Sequence, residues 1–77
     1  MDIEAKLKEL LYEIDDEIYV DEIMAESKLK EDVGLSSVAM IYMAVSIENE
    51  FGIDLSDANM NDLVTVGDVV ELIEKYL

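Results

Sequence analysis

Residues 39–51 form the most apolar stretch of the chain, and this stretch constrains the fold more than any other feature. Val38, Ile41 and Val45, continued by Phe51, recur at helical spacing and predict a core-facing stripe. Further apolar residues fill much of the remaining circumference: Met40, Tyr42, Met43, Ala44 and Ile47. A helix that is apolar nearly all round packs on two or three neighbours. Its Met and Ala side chains could also line a space that re-packs around a guest chain.

A short polar break precedes this helix and contains Gly34, Ser36 and Ser37. It places a hydroxyl in the first turn, where four backbone N–H groups lack intrahelical partners and the macrodipole is positive. An anion attached there would be stabilised. Serine is also a preferred N-cap, so its position alone indicates capping. We single out Ser37 as the candidate functional residue, although position alone does not show which of the two serines is the cap.

Two further amphipathic helices are predicted, one near each end of the chain. The first has Asp2 as its N-cap. Its apolar stripe consists of Ile3, Leu7, Leu10, Leu11 and Ile14. The last has Thr65 as its N-cap and Asp68 as the capping-box acid three residues later. Its stripe consists of Val66, Val69, Val70, Ile73 and Leu77.

Residues 15–34 predict a long first connection, because helical periodicity weakens there and acidic clusters appear. Long loops in compact domains need anchoring side chains, for which we expect Ile23 and Leu29. A single helical turn is predicted within residues 20–26. Such a connection is long enough to cross the end of a helical bundle.

The central helix is predicted to end at Gly52, which suits the left-handed position after a helix. A short helix is expected within residues 57–63. The pattern as a whole predicts an all-α fold with one domain over residues 1–77. Its architecture would be a small four-helix bundle, with three main helices, one short helix and a long first connection.

Composition excludes several classes of function. The chain has no Cys and no His, and also lacks Arg and Trp. It therefore has no thiolate zinc ligands, no histidine general base and no thiol nucleophile. These absences predict a protein that is not an enzyme.

Charge constrains the partners. Twenty acidic residues and five lysines give a net charge of −15. This charge opposes binding to nucleic acid or to an anionic membrane and favours basic partners. The chain has neither a leader pattern nor an apolar run long enough to span a bilayer. We expect a monomer with a cytoplasmic location.

One acidic segment invites comparison with a calcium-binding loop. Asp57, Asn59 and Asn61 have the spacing of the first three ligands of such a loop. Asp62 occupies the position that requires Gly, and Asp68 the position of the bidentate Glu. We therefore predict no specific metal site here, only loose attraction of cations.

Three motifs occur in order along the chain. They are Glu31-Asp32-Val33-Gly34-Leu35-Ser36-Ser37-Val38, Ile47-Glu48-Asn49-Glu50-Phe51-Gly52-Ile53-Asp54-Leu55 and Thr65-Val66-Gly67-Asp68-Val69-Val70. In this order and at this spacing they resemble the acyl carrier protein family, and the resemblance covers most of the chain. It implies an acyl-carrier-protein-like fold.

The resemblance also implies a prosthetic group. Members of this family carry 4′-phosphopantetheine, joined through a phosphodiester to a serine, and its thiol holds acyl groups as thioesters for separate enzymes. The register from Gly34 and Phe51 implies that Ser37 is that serine, which leaves Ser36 as the expected N-cap. The implied partners are a phosphopantetheinyl transferase and acyl-transfer or synthase enzymes with basic docking surfaces. The implied pathway is fatty-acid, polyketide or related acyl metabolism.

The family shelters acyl chains between its helices, which implies an apolar pocket beside the second helix. Met side chains suit such a pocket because they are unbranched and adaptable. The predicted pocket residues are Met40, Ile41, Met43, Ala44, Ile53, Leu55, Met60 and Leu63.

Two departures from the family pattern concern the docking surface. Ser36 replaces the usual Asp before the modified serine, and Ala39 and Tyr42 occupy positions that are acidic in fatty-acid members. The predicted docking residues are Ser36, Val38, Ala39, Tyr42, Met43, Glu48 and Glu50. This more apolar surface predicts a carrier for a specialised pathway. The alternative is an acidic helical interaction module without a prosthetic group.

Overall fold

The computed structural model describes residues 2–77 and is all-α. Its helices are α1 (Ile3–Ile14), α2 (Ser37–Phe51) and α3 (Val66–Tyr76). Two single 3-10 turns, Val20–Glu22 and Met60–Asp62, lie in the connections. The predicted class and the three main helices are therefore confirmed. None of the described helices is both long enough and apolar enough to span a membrane.

The core is formed by one side of each helix together with anchors from the connections. Helix α1 packs against both α2 and α3. The helices bury Leu7, Leu10, Leu11, Met40, Met43, Ile47, Val66, Val69 and Ile73. The connections add Ile23, Leu29, Leu35, Leu55 and Leu63. Among residues 2–77 no polar or charged side chain is buried, so the interior is held by apolar contact.

The buried side of α2 differs from the predicted one. Val38, Ile41 and Val45 are 76%, 64% and 50% exposed, whereas Met40 and Ile47 are buried. The predicted core stripe was therefore wrong at these three positions, and only Phe51 at its end packs against the core. Because α2 is apolar on both sides, the two stripes offer similar burial energies, and the helical period could not choose between them. The packing of α1 against α2 is a tertiary contact and selects the stripe.

A smaller error concerns the end of α3. Leu77 was predicted to continue the core stripe, but it follows the last helical residue and is exposed. Val66, Val69 and Ile73 are fully buried as predicted, and Val70 packs against the core from a half-buried position. The stripe thus ends with the helix, where no neighbouring element covers the final residue.

The first connection is anchored as the sequence predicts. Ile23 and Leu29 are buried, and the expected turn is the 3-10 turn Val20–Glu22. Backbone bonds fix this connection to the start of α3: Leu29 N–H donates to the Val64 carbonyl at 2.9 Å, and Gly67 N–H to the Ala25 carbonyl at 2.7 Å. Backbone hydrogen bonds therefore hold the long loop against the start of α3.

The second connection begins where Gly52 ends α2 with a φ of +66°. The short helix expected at 57–63 is the single 3-10 turn Met60–Asp62, which is shorter than predicted. Asn59 caps this turn, because its side chain accepts a hydrogen bond from Asn61 N–H at 3.0 Å.

Candidate functional site

The two adjacent serines at the start of α2 have different environments. Ser36 is the N-cap, and its Oγ accepts a hydrogen bond from Ala39 N–H at 3.1 Å. Ser37 is the first helical residue and is exposed. Within residues 2–77 its hydroxyl takes part in no side-chain hydrogen bond, whereas that of Ser36 is engaged. The predicted capping role of Ser36 is confirmed, and the Ser37 hydroxyl remains available.

Backbone donors at this helix start are also available. Ser36, Ser37 and Val38 have N–H groups for which residues 2–77 provide no hydrogen-bond acceptor. The first turn of α2 contains no acidic residue. The positive end of the helix dipole is therefore not neutralised locally, which suits an anion attached at Ser37.

A cavity of about 370 Å³ lies beside Ser37. Its apolar wall is formed by Met40, Ile41, Met60, Leu63 and Val64. Lys28, Lys30, Glu31 and Asn61 form the polar part of the lining, together with Ser37 itself. The cavity thus joins a free hydroxyl to an apolar surface that could shelter a short acyl chain.

Half of the predicted pocket residues line this cavity: Met40, Ile41, Met60 and Leu63. The others lie elsewhere. Met43 and Leu55 are buried in the core, Ile53 packs against it, and Ala44 is half-buried on α2. Apolar character indicated burial for most of this set, but only tertiary packing separates core residues from residues that line a cavity.

Sequence reasoning missed the polar lining. Lys28 and Lys30 form the only pair of lysines in the first connection, which was the available signal. Asn61 and Val64 reach the same cavity from a distant segment. Backbone bonding between Leu29 and Val64 brings the two segments together. No local pattern in the sequence encodes that contact.

The predicted docking residues divide into exposed and buried groups. Ser36, Val38 and Tyr42 are exposed, and Ala39 is half-buried. Met43 is fully buried, so its assignment to the docking surface was wrong. Helical spacing places it three residues after Met40, on the side that contacts the core.

Val38, Ile41, Tyr42 and Val45 form one exposed stripe, which we call the α2 apolar face. The four residues are spaced at i, i+3, i+4 and i+7, and each is at least half exposed. Ile41 and Val45 were not predicted to belong to a docking surface. The spacing was recognised in the sequence but was assigned to the core.

Both predicted docking acids make contacts within the protein. The Glu48 carboxylate accepts a hydrogen bond from Leu55 N–H at 2.9 Å and so closes the turn after α2. Glu50 Oε1 lies 2.7 Å from Lys6 Nζ, which joins α2 to α1. The hydrogen bond to Glu50 is the main reason why the pKa of Lys6 is raised. These carboxylates therefore have structural roles as well as surface charge.

Comparison with known proteins gives matches over almost the whole chain. Residues 3–73 match the family model described as the phosphopantetheine attachment site. An acyl carrier protein of Desulforapulum autotrophicum is 32% identical over 97% of each chain. One from Thermotoga maritima is 36% identical over 99% of this chain and 93% of its own length.

A solved structure shows the same fold. The apo doublet acyl carrier protein from prodigiosin biosynthesis superposes with a TM-score of 0.80 at 22% identity. The match covers 96% of this chain and 35% of that one. At this level of identity the similarity concerns the fold alone.

Proposed function

The chain belongs to the acyl carrier protein family, a family of non-catalytic carriers with covalent 4′-phosphopantetheine, and on this premise we propose that Ser37 is the attachment residue. The supporting observation is the difference between the two serines. Ser36 Oγ is held by the Ala39 N–H, whereas Ser37 Oγ is exposed and takes part in no side-chain hydrogen bond within residues 2–77. Only Ser37 can react without breaking the helix cap.

Ser37 would react as the nucleophile toward coenzyme A on a phosphopantetheinyl transferase. Its Oγ forms a bond to the phosphorus next to pantetheine, the pyrophosphate P–O bond breaks, and adenosine 3′,5′-bisphosphate leaves. The serine proton passes to a base of the transferase. The free N–H groups of Ser36 and Val38 lie where they favour the new anion. The bound group supplies a terminal thiol that carries acyl chains as thioesters.

Intact-mass analysis tests this assignment. Wild-type protein incubated with coenzyme A and a broad-specificity phosphopantetheinyl transferase should gain the mass of one phosphopantetheine. Ser37→Ala should fold and gain none, whereas the matched control Ser36→Ala should still be modified. Modification of Ser37→Ala, or no modification of folded wild-type protein, would contradict the proposal.

We further propose that the carrier delivers its acyl groups to separate fatty-acid, polyketide or related enzymes of a specialised pathway. The support is the cavity beside Ser37, whose wall contains Met40, Ile41, Met60 and Leu63. Its volume suits a short or medium acyl chain. The alternative of an interaction module without a prosthetic group does not fit the match to the phosphopantetheine attachment family.

The α2 apolar face is the proposed docking surface for these enzymes. Val38 and Tyr42 are 76% and 63% exposed and lie one and five residues after Ser37. Ala39 and Tyr42 provide no charge where fatty-acid members of the family are acidic. A partner with an apolar groove would bury this face, whereas a basic partner would gain little electrostatic attraction.

Tyr42→Glu tests the docking proposal. Acyl transfer to holo protein by an acyltransferase of general fatty-acid synthesis should become faster, because a charge is restored at the interface. Tyr12→Glu is the matched control, since Tyr12 is also exposed but lies on α1. Equal acceleration by both variants would show that net charge, not this face, controls docking.

A further inference from the structure

Positive charge is unevenly distributed in this acidic protein. The chain has five lysines and twenty acidic residues. Two of the lysines, Lys28 and Lys30, line the cavity beside Ser37. Among residues 2–77, Glu31 is the one acid in the lining, so the charged groups of the cavity are two lysines and one carboxylate, a local excess of positive charge in a chain of net charge −15. This local charge lies where the family places an anionic group.

Lys30 is the cavity lysine whose charge is not already paired. Lys28 Nζ lies 3.5 Å from Glu31 Oε2, and Lys6 and Lys8 also contact carboxylates within 4.0 Å. Within residues 2–77, Lys30 makes no such ion pair. Its side chain is exposed and can reach an anion beside the cavity.

The backbone holds this lysine pair in place. Between them, Leu29 is fully buried, its N–H donates to the Val64 carbonyl at 2.9 Å, and its carbonyl accepts from Leu35 N–H at 2.9 Å. Leu29 is thus fixed to the residues just before α3 and just before Ser36. The flanking lysines are therefore constrained to the cavity wall, and do not lie on a loose loop.

We propose that Lys30, with Lys28 beside it, binds the phosphodiester of the phosphopantetheine arm and keeps the arm against the cavity. This proposal rests on attachment at Ser37, which lines the same cavity. The phosphodiester is an anion added to a chain of strongly negative charge, so most of the surface repels it. Lys30 offsets that repulsion and directs the arm toward the apolar wall formed by Met40 and Leu63.

The expected effect is modest, because Lys30 is exposed. Exposed ion pairs change an equilibrium by about 1.5- to 5-fold and weaken as salt rises. At low salt, Lys30→Ala should therefore lower the ratio of arm held against the cavity to arm free in solvent by that factor. Lys30→Glu should lower this ratio further, and Lys30→Arg should restore the wild-type behaviour.

Phosphorus NMR of the holo protein tests the proposal, after intact mass has confirmed one arm on each variant. Lys30→Ala should shift and narrow the phosphodiester resonance relative to wild type at about 20 mM salt, and the difference should shrink at about 500 mM. Lys75→Ala is the matched control, since Lys75 lies on α3 and does not line the cavity. The arm thiol should also react about 1.5- to 5-fold faster with a neutral disulfide in Lys30→Ala.

Other outcomes separate the alternatives. Identical phosphorus spectra for wild type, Lys30→Ala and Lys75→Ala would overturn the role of Lys30 while leaving attachment at Ser37 intact. An effect of Lys30→Ala seen only after loading with succinyl, and not in the unloaded holo protein, would overturn it in favour of binding to a cargo carboxylate. Failure of the wild-type protein to gain the arm would overturn both proposals.

Discussion

The starts of α2 and α3 are built from the same kind of cap but are completed differently. Ser36 Oγ accepts from Ala39 N–H, and Thr65 Oγ1 accepts from Asp68 N–H, each at 3.1 Å. At α3 the Asp68 carboxylate also accepts a hydrogen bond from the Thr65 N–H at 3.0 Å, which completes a capping box. At α2 the equivalent position is Ala39, so no carboxylate is present.

The other backbone N–H groups at the two helix starts differ in the same way. At α3, Val66 N–H donates to the Ser27 carbonyl and Gly67 N–H to the Ala25 carbonyl, so the first connection satisfies them. The Asp68 carboxylate also accepts from Val64 N–H at 3.0 Å. At α2 the N–H groups of Ser36 and Ser37 have no acceptor within residues 2–77. One helix start contains its own anion, whereas the other can accept an anion added later.

The largest expected effect follows from removing the anion of α3. Asp68→Ala leaves the N–H groups of Val64 and Thr65 without their acceptor and should lower the free energy of unfolding by about 1–3 kcal/mol. Denaturant unfolding of the apo protein measures this change. Asp62→Ala, an exposed acid nearby, should change stability by less than about 0.5 kcal/mol. Equal destabilisation by both would contradict an origin in the hydrogen bonds that Asp68 accepts.

The same carboxylate makes stability depend on pH. Hydrogen bonds from the Thr65 and Val64 N–H groups hold the pKa of Asp68 below its ordinary value of 3.8. Its folded pKa lies below its unfolded pKa, so this stabilisation is complete above about pH 4 to 5 and is lost as pH falls through the lowered pKa. The stability difference between wild type and Asp68→Asn should therefore shrink below pH 3.8. A difference that stays constant down to pH 2.5 would contradict this origin.

The structure also shows which parts of the fold can be predicted from sequence. Leu7 and Val69 were assigned to the core correctly, because α1 and α3 are apolar on one side only. Helix α2 is apolar on both sides, and Val38 and Ile41 were assigned to the wrong one. A hydrophobic period defines a face only where a polar side contrasts with it.

The candidate site also has a part that was predictable from sequence and a part that was not. The cap formed by Ser36 is local and was predictable, because an N-cap bonds within three residues of itself. The charged lining was not predictable, since Lys30 lines the same cavity as Asn61 and Val64 only because the chain folds. Chemistry encoded within one helix turn could be recognised in the sequence, whereas chemistry assembled from separate segments required the structure.

At α2 the effect of removing the cap should be smaller than at α3. Ser36→Ala removes the acceptor of Ala39 N–H and should lower the free energy of unfolding by about 1 kcal/mol. Thermal and denaturant unfolding of the apo protein measure it. A loss as large as that of Asp68→Ala would mean that α2 depends on its single cap as strongly as α3 depends on its capping box.

The smallest effect is expected at the neighbouring hydroxyl. Ser37→Ala removes a side-chain hydroxyl that takes part in no hydrogen bond within residues 2–77, and Ala is the better helix former. The free energy of unfolding of the apo protein should change by less than about 0.5 kcal/mol. A loss of about 1 kcal/mol, similar to that of Ser36→Ala, would show that Ser37 also caps the helix. The open helix start requires that these adjacent serines differ, since a hydroxyl needed for stability could not be converted to a phosphodiester without cost.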